Sequence, residues 1–358
     1  TAVVRGLSGN VTTEMDLAVG DLADLVRQSP ALVRHFQQLP PTAALATAHT
    51  IPGSGPFLAG WQQFLDRYGM RGPSEIDISR PRWREDPTSL LQFVVGNLEH
   101  AAPGSHRAHH AQMAAAGEAA GARLVASAGR GLLGFVRRPL ARRLVKAVRH
   151  YTPGREHPKF YLIKLLGVVK EVLLAQAAQL VADGRLDHPD DIWHLDLAEL
   201  IDFVAEPERE IRPLIVQRQA EFARTRKLTP PRVITSDGEL FNVLPRRSGL
   251  PEGALIGIAA SSGTVEGVAK VVLDPTKDIL AKGEILIAPF TDPGWTPLFI
   301  NAAALVMEVG GLMTHGSVVA REYGIPAVVG VPGATVQIKT GQHVRVHGDA
   351  GFVEILPS

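Results

Sequence analysis

At 358 residues and 45% hydrophobic, the chain is long enough for two domains, each with an apolar core of its own. Its 37 basic residues against 36 acidic ones leave no electrostatic footprint for nucleic acid, and the lack of cysteine excludes disulfides, thiolate zinc sites and cysteine nucleophiles. That composition fits an intracellular, cytoplasmic enzyme. The longest apolar stretches, 161–182 and 298–313, are interrupted by Lys164, Lys170 and Glu171 in the first and by Asn301 and Glu308 in the second, so neither reads as a membrane span. The chain opens on Thr1 with no basic-then-apolar leader, which reads as a start inside a longer product or after processing.

In chain order, residues 11–38 repeat apolar side chains at helical spacing through Leu17, Leu22, Leu25, Val26, Leu32 and Val33. Pro30, after Ser29, starts a second helix. A proline- and glycine-rich passage at 40–56 leads to a short amphipathic helix over 57–68. Residues 71–83 then pack Arg71, Arg80, Arg82, Glu75, Asp77 and Trp83 into a segment with neither helical nor strand period. Two readings stay open for it: a salt-bridged, solvated connection, or a polar wall of a substrate cleft. The alanine-rich run 87–128 predicts one or two long helices. Of its histidines only His106 and His110 stand at i,i+4, with no partner carboxylate in the pattern, so they read as a solvated face rather than a metal site. The basic stretch 135–150 reads as an exposed helix face.

Residues 151–184 carry a more pointed pattern. In Arg155-Glu156-His157-Pro158-Lys159, Pro158 marks a first helical position, with Lys159 in the first turn and Arg155 just before it. Two cations at a helix start complement a phosphate in transfer; the ordinary alternative is surface charge paired with Glu156. Helices follow over 161–182, 197–204 and 207–225, with a capped turn and short helix at 188–193.

At Leu228 the character changes. Short Val- and Ile-rich runs predict strands at 255–259, 264–273, 284–289, 304–308, 327–330 and 343–355, the last broken by a turn at Gly348-Asp349; helices fit only near 297–303 and 315–323. The reading is a multi-domain chain: a mainly α-helical substrate domain over 1–228, a linker with a strand or two of its own over 229–253, and a compact β/β/α swivelling domain over 254–358.

The chemistry concentrates in Gly310-Gly311-Leu312-Met313-Thr314-His315-Gly316-Ser317, between the strand-like Ala304-Leu305-Val306-Met307 and a helix-like run. Gly310 and Gly311 let the backbone turn tightly and leave its amides uncovered, and the start of the helix adds the positive end of its dipole. Neutral imidazole is a nucleophile near pH 7, so His315 reads as a phosphohistidine with Thr314, Gly311 and Gly316 supporting the phosphate. The bland alternative is a helix-capping histidine.

Together with Phe290-Thr291-Asp292-Pro293-Gly294-Trp295-Thr296-Pro297 and Ala320-Arg321-Glu322-Tyr323-Gly324-Ile325-Pro326-Ala327-Val328-Val329-Gly330, this turn resembles the mobile phosphohistidine domain of phosphoenolpyruvate-utilising enzymes. Phosphoenolpyruvate synthases usually read G-G-R-T-[CS]-H; here Leu312 replaces the arginine and Thr314 stands beside His315, which points away from pyruvate. The segments Gly9 to Met15, Arg71 to Trp83, Arg155 to Tyr161 and Thr229 to Val233 are similar to the C-terminal part of the rifampicin phosphotransferases. That resemblance implies an ATP-dependent phosphotransferase. An ATP-grasp domain, absent from this chain or supplied as a separate subunit, uses ATP and Mg2+ to load His315 and releases AMP and phosphate. The histidine domain then swings to a helical domain holding a rifamycin-type small-molecule acceptor. Arg155 and Lys159 match the basic pair at the acceptor, while no role is implied for individual residues of 71–83. No metal, nucleic-acid or membrane partner is expected for this chain, which alone would not turn over ATP. The alternatives are a relative that acts on another small molecule, including a condensing enzyme, and a non-catalytic binding module.

Overall fold

The computed structural model describes residues 2–100, 102–206, 208–228, 233–241, 249–275, 278 and 280–357. By its internal packing the chain divides into two compact units: Thr1–Glu75, Pro81–Tyr161 and Leu244–Ser358 form the first, and Ile76–Arg80 with Leu162–Val243 the second. Residues 229–232 and 242–248, part of the expected linker and of the Thr229 to Val233 motif, lie outside the described residues.

The helical part begins with α1 (Val11–Arg27), capped by Asn10, whose side chain accepts from the Thr12 and Thr13 amides. Ser29 caps α2 (Pro30–Gln38), with proline in its first turn. A helix, α3 (Pro41–Thr47), forms where the proline- and glycine-rich passage predicted none: Pro41 sits at its start, where a missing N–H costs nothing. α4 (Gly55–Tyr68), α5 (Thr88–His100), α6 (Ser105–Ala128) and α7 (Gly134–Tyr151) follow. A 3-10 turn, Pro153–Glu156, leads into α8 (His157–Ala182), so the helix starts one residue before Pro158. Val19, Leu22, Ala23 and Val26 of α1 are buried among its helical neighbours.

In the second unit α9 (Leu197–Ala205) opens on a capping box between Asp196 and Glu199, and α10 (Arg212–Thr225) starts at Arg212-Pro213 rather than near 207. Ala177, Leu180, Leu186, Ile192, Leu200, Phe203, Ile211 and Ile215 make its core. Strands β1 (Val233–Ile234) and β2 (Leu240–Phe241) pair antiparallel. The helical run Gly134–Ala182 contains a mostly exposed window that is, by length and composition alone, long and apolar enough to cross a membrane. The interrupting charges noted at 161–182 do not prevent this. On α8, Leu165, Val168 and Val172 are exposed on one stripe.

The helical region is followed by a mixed sheet. Strands β3 (Leu255–Ile256), β4 (Ile258–Ser261), β5 (Thr264–Val271), β6 (Ile285–Ala288), β7 (Ala304–Met307), β8 (Ala327–Val329), β9 (His343–His347) and β10 (Phe352–Ile355) form one sheet in the order β3-β10-β9-β5-β6-β7-β8-β4. The four adjacent strands β5, β6, β7 and β8 run parallel and the rest pair antiparallel. β6 and β7 read as continuous apolar runs because both of their faces are covered. Helices α11 (Thr296–Phe299), α12 (His315–Tyr323) and α13 (Ala334–Gln337) connect the strands. The expected 255–259 strand splits at Gly257, where a Cβ would lie 2.7 Å from the Val329 carbonyl oxygen. The loops after β6 and β7, neighbours in the parallel part of the sheet, leave from the same edge, the carboxyl ends where parallel sheets place their ligands.

Candidate functional site

His315 is the first residue of α12, eight positions beyond the last residue of β7. Gly316 is a steric necessity there, because a Cβ would stand 2.3 Å from Thr291 Oγ1 and 2.9 Å from the Met307 sulfur. Gly311 faces open space and is not constrained in that way. Thr314 occupies the N-cap position without capping the helix. Its hydroxyl donates to the Gly311 carbonyl at 2.8 Å and meets Ser317 Oγ at 3.1 Å, so it shapes the turn instead of touching the imidazole.

Both ring nitrogens of His315 are engaged. Nδ1 lies 3.0 Å from Glu156 Oε2, and Nε2 lies 2.8 Å from Thr296 Oγ1. Thr296 is brought in by the loop after β6, where Asp292 accepts from the Gly294 amide and caps the 3-10 turn Pro293–Trp295. The threonine hydroxyl also lies 3.0 Å from the Pro293 carbonyl and has one proton to give. If that proton goes to the carbonyl, Nε2–H donates to Thr296 and the ring, which also donates Nδ1–H to Glu156, is an imidazolium. If it goes to the ring, the Nε2 lone pair is masked. Either way Nδ1 is tethered to a carboxylate, and only Nε2 has a neutral, replaceable partner. With its side chain 11% exposed, the ring is partly open and not sealed in apolar packing.

Glu156 comes from the 3-10 turn before α8. Burial pushes its carboxyl up, but the hydrogen bond and charge of His315, with Arg155 and Arg71 nearby, outweigh that and hold it at about 2. It is the residue that sequence reasoning set aside as a partner for surface charge. Its i+1 position after Arg155 was the only local signal, and nothing in the pattern tied it to a residue 159 positions away. Arg155 is exposed and hydrogen-bonds through Nη2 to the Met313 carbonyl, at the base of the His315 turn. Lys159, whose side chain is 37% exposed, pairs with Glu75 at 3.4 Å. Arg155 therefore reaches the His315 turn directly, whereas Lys159 is held by Glu75 and lies near enough to Asp292, in the loop after β6, to act on its carboxyl.

Two readings of the polar segments are corrected. Residues 71–83 are irregular as expected, but their ends are not solvated: Arg71, Glu75, Arg82 and Trp83 are all at most 1% exposed, whereas Ile76, Asp77, Arg80 and Pro81 are exposed. A four-residue Arg71–Glu75 ion pair and the Trp83 indole, donating to Ser89 Oγ at 3.1 Å, hold the loop from inside. His106 is not a solvated face either; it is 8% exposed, with Nε2 3.0 Å from Asp21 Oδ1. Among the described residues no cluster of three or more histidines and carboxylates is arranged for a metal.

Further along α12, the Glu322 carboxylate accepts from Asn10 Nδ2 at 2.8 Å and Thr13 Oγ1 at 2.6 Å, and the Tyr323 hydroxyl donates to Asp16 at 3.1 Å. Burial raises Glu322 to about 7 against those two hydrogen bonds, with the Glu156 charge adding to the rise. The same helix that presents His315 is thus seated on the N-terminus of α1.

Two family models match this chain: the fourth domain of rifampicin phosphotransferase over residues 1–156, and the mobile domain of PEP-utilising enzymes over residues 280–351. Rifampicin phosphotransferases of Streptomyces sviceus and Bacillus subtilis are 41% and 38% identical over 97% of this chain. The chain spans 40% of the length of each of these curated relatives. A prodigiosin synthesizing transferase, PigC, of Serratia marcescens is 30% identical over 96% of the chain and 39% of its own length. Among solved structures, Enzyme I in solution aligns over 22% of this chain and 33% of its own, at 33% identity and a TM-score of 0.21. A Thermococcus kodakaraensis aconitase X aligns over 29% of this chain and 98% of its own, at 26% identity and a TM-score of 0.24. Overlaps that small carry no argument about the fold.

Proposed function

Because the chain belongs to the rifampicin phosphotransferase family, as a portion of 40% of its relatives' length, we propose that it is the carrier and acceptor part of an ATP-dependent dikinase-type phosphotransferase. In this reading His315 Nε2 carries the phosphoryl group. An ATP-grasp portion, working with ATP and Mg2+, loads it and releases AMP and phosphate. The β/α domain then swivels, and the hydroxyl of rifampicin or a similar antibiotic attacks the phosphorus. The new O–P bond forms as Nε2–P breaks, the ring nitrogen recovers its lone pair and the hydroxyl proton leaves to solvent.

The arrangement of the imidazole carries this reading. Nδ1 bound to Glu156 fixes the ring and leaves Nε2 as the nucleophilic nitrogen once Thr296 is displaced, as an orienting carboxylate does for nucleophilic histidines in general. Arg155 and Lys159, approaching from the helical side, neutralise charge on the transferring group. The swivel supplies what one fixed position cannot, since His315 is here engaged on both nitrogens.

With an ATP-grasp portion and labelled ATP supplied, wild-type protein takes up acid-labile label and His315→Ala takes up none. Absence of label from the wild type overturns the reading in favour of a non-catalytic module. The similarity to PigC supports a second reading, in which the same phosphohistidine serves a condensation. Product analysis separates the two, because only the first yields phosphorylated rifampicin.

A further inference from the structure

Segment 71–83, buried at its two ends, has no part in the scheme above, yet it touches the surroundings of the site from two directions. Glu75, 0% exposed, binds Arg71 through Nε at 2.5 Å and Nη2 at 3.0 Å, and its Oε1 stands 3.4 Å from Lys159 Nζ. Arg71 is itself fixed, its guanidinium 5.6 Å above the Phe160 ring in the first turn of α8. Arg82 Nη1 donates to the Glu75 carbonyl at 2.7 Å, closing the loop on itself. A fully buried carboxylate shared by two cations is costly unless both stay in place, so the position of Lys159 is set by Glu75 and not by solvent.

The second contact runs to the loop after β6. Ser74 is the one non-glycine residue with positive φ, 58°, among the described residues, a conformation that serine adopts at a cost. In that conformation its N–H donates to Asp292 Oδ2 at 2.6 Å. The fit around it is tight: a Cβ on Gly294 would lie 2.5 Å from the Pro73 nitrogen. Asp292 caps the turn that carries Thr296, whose hydroxyl meets His315 Nε2. Burial raises the Asp292 carboxyl, and the Glu75 charge adds to the rise while Lys159 opposes it, which places all three in one electrostatic neighbourhood.

We propose that Glu75 is a positioning residue for phosphoryl transfer: it aims Lys159 at the His315 Nε2 side from a loop whose backbone is locked, through Ser74 and Gly294, to the turn that carries Thr296. This rests on the phosphohistidine reading. Lys159 alone, on a four-carbon stem at a helix start, samples many rotamers; tied to a buried carboxylate it meets the phosphoryl group already oriented.

The test uses phosphoramidate, which loads His315 without ATP: Nε2–P forms as the donor P–N bond breaks and ammonia leaves. Loaded chain is mixed with rifampicin, and single-turnover transfer is followed by 31P NMR. Glu75→Gln is expected to load normally, to keep the half-saturating rifampicin concentration within twofold, and to transfer about tenfold to a hundredfold more slowly. Glu75→Asp recovers part of the rate. The decisive measurement is the double-mutant cycle. On a Lys159→Met background Glu75→Gln has no further effect, whereas a merely structural Glu75 gives multiplicative losses. Equal rates for Glu75→Gln and wild type, or multiplicative losses in the cycle, overturn the proposal. If loaded wild type does not transfer to rifampicin, the acceptor assignment fails, and the same cycle read on hydrolysis of phospho-His315 by water decides Glu75 on its own. Wild type that does not load overturns both readings.

Discussion

Two polar segments, the turn 310–317 and residues 71–83, are built in opposite ways. The turn 310–317 carries exposed side chains, Leu312 at 50% and Met313 at 67%, beside one histidine hydrogen-bonded through both ring nitrogens. Segment 71–83 looks polar throughout in the sequence, yet its two ends are interior: Arg71, Glu75, Arg82 and Trp83 are buried and Arg71 pairs with Glu75, while Ile76, Asp77, Arg80 and Pro81 between them are exposed. The buried ion pairs at the ends of 71–83 hold their place because any displacement leaves a charge without its partner, a constraint that the exposed side chains of the turn do not carry.

That contrast predicts unequal sensitivity. The largest effect is expected at Trp83: Trp83→Ala removes a fully buried indole and lowers stability by about 3–5 kcal/mol in denaturant unfolding. A loss below 1 kcal/mol would make the segment a dispensable covering.

Next in size is a pH effect on the seat of α12. Glu322 has an ordinary value of 4.5 and is raised to about 7, so between those values the folded form holds a proton that the unfolded form has lost. The stability it contributes is complete below pH 4.5 and falls as pH rises to 7, by up to about 3 kcal/mol. Glu156, lowered from 4.5 to about 2, works the other way: its contribution is present above pH 4.5 and lost as pH falls towards 2. Thermal midpoints against pH should show both limbs, Glu322→Gln abolishing only the upper and Glu156→Gln only the lower.

Smaller again is the contact between segment 71–83 and the loop after β6. Gly294→Ala forces a Cβ onto the Pro73 backbone, at a cost of about 1–3 kcal/mol, and hydrogen exchange at the Ser74 amide should accelerate at least tenfold. Unchanged exchange would separate the loop from the Asp292 turn. Smallest of all, Leu312→Ala and Met313→Ala should leave stability within about 0.5 kcal/mol of wild type, as exposed substitutions generally do.

How legible each part was follows from the range of the forces involved. α12 was read at 315–323, where it stands, because its start follows a glycine turn and its end is Gly324 in the left-handed conformation, both local signals. β6 and β7 were read to within a residue or two, since apolar runs of that length between turns have few alternatives. α3 was missed because proline was taken for a breaker when it stood at a helix start. The burial of Arg71, Glu75 and Arg82 was missed because composition counts charges without pairing them, and Glu75 meets Lys159 only across 84 residues of chain. Glu156 was passed over for the same reason, and Thr296, 19 positions from His315, gave no local sign of its contact with Nε2.

By itself the sequence determined the order of helical and sheet parts, the turn that presents His315 and the two cations at the start of α8, all of them products of local periodicity, capping and turn chemistry. Only the tertiary structure decided which carboxylate orients the imidazole, which hydroxyl stands in front of Nε2 and where Lys159 is held. Those partners are remote in the chain and are selected by burial, which makes an unpaired charge too costly to leave alone.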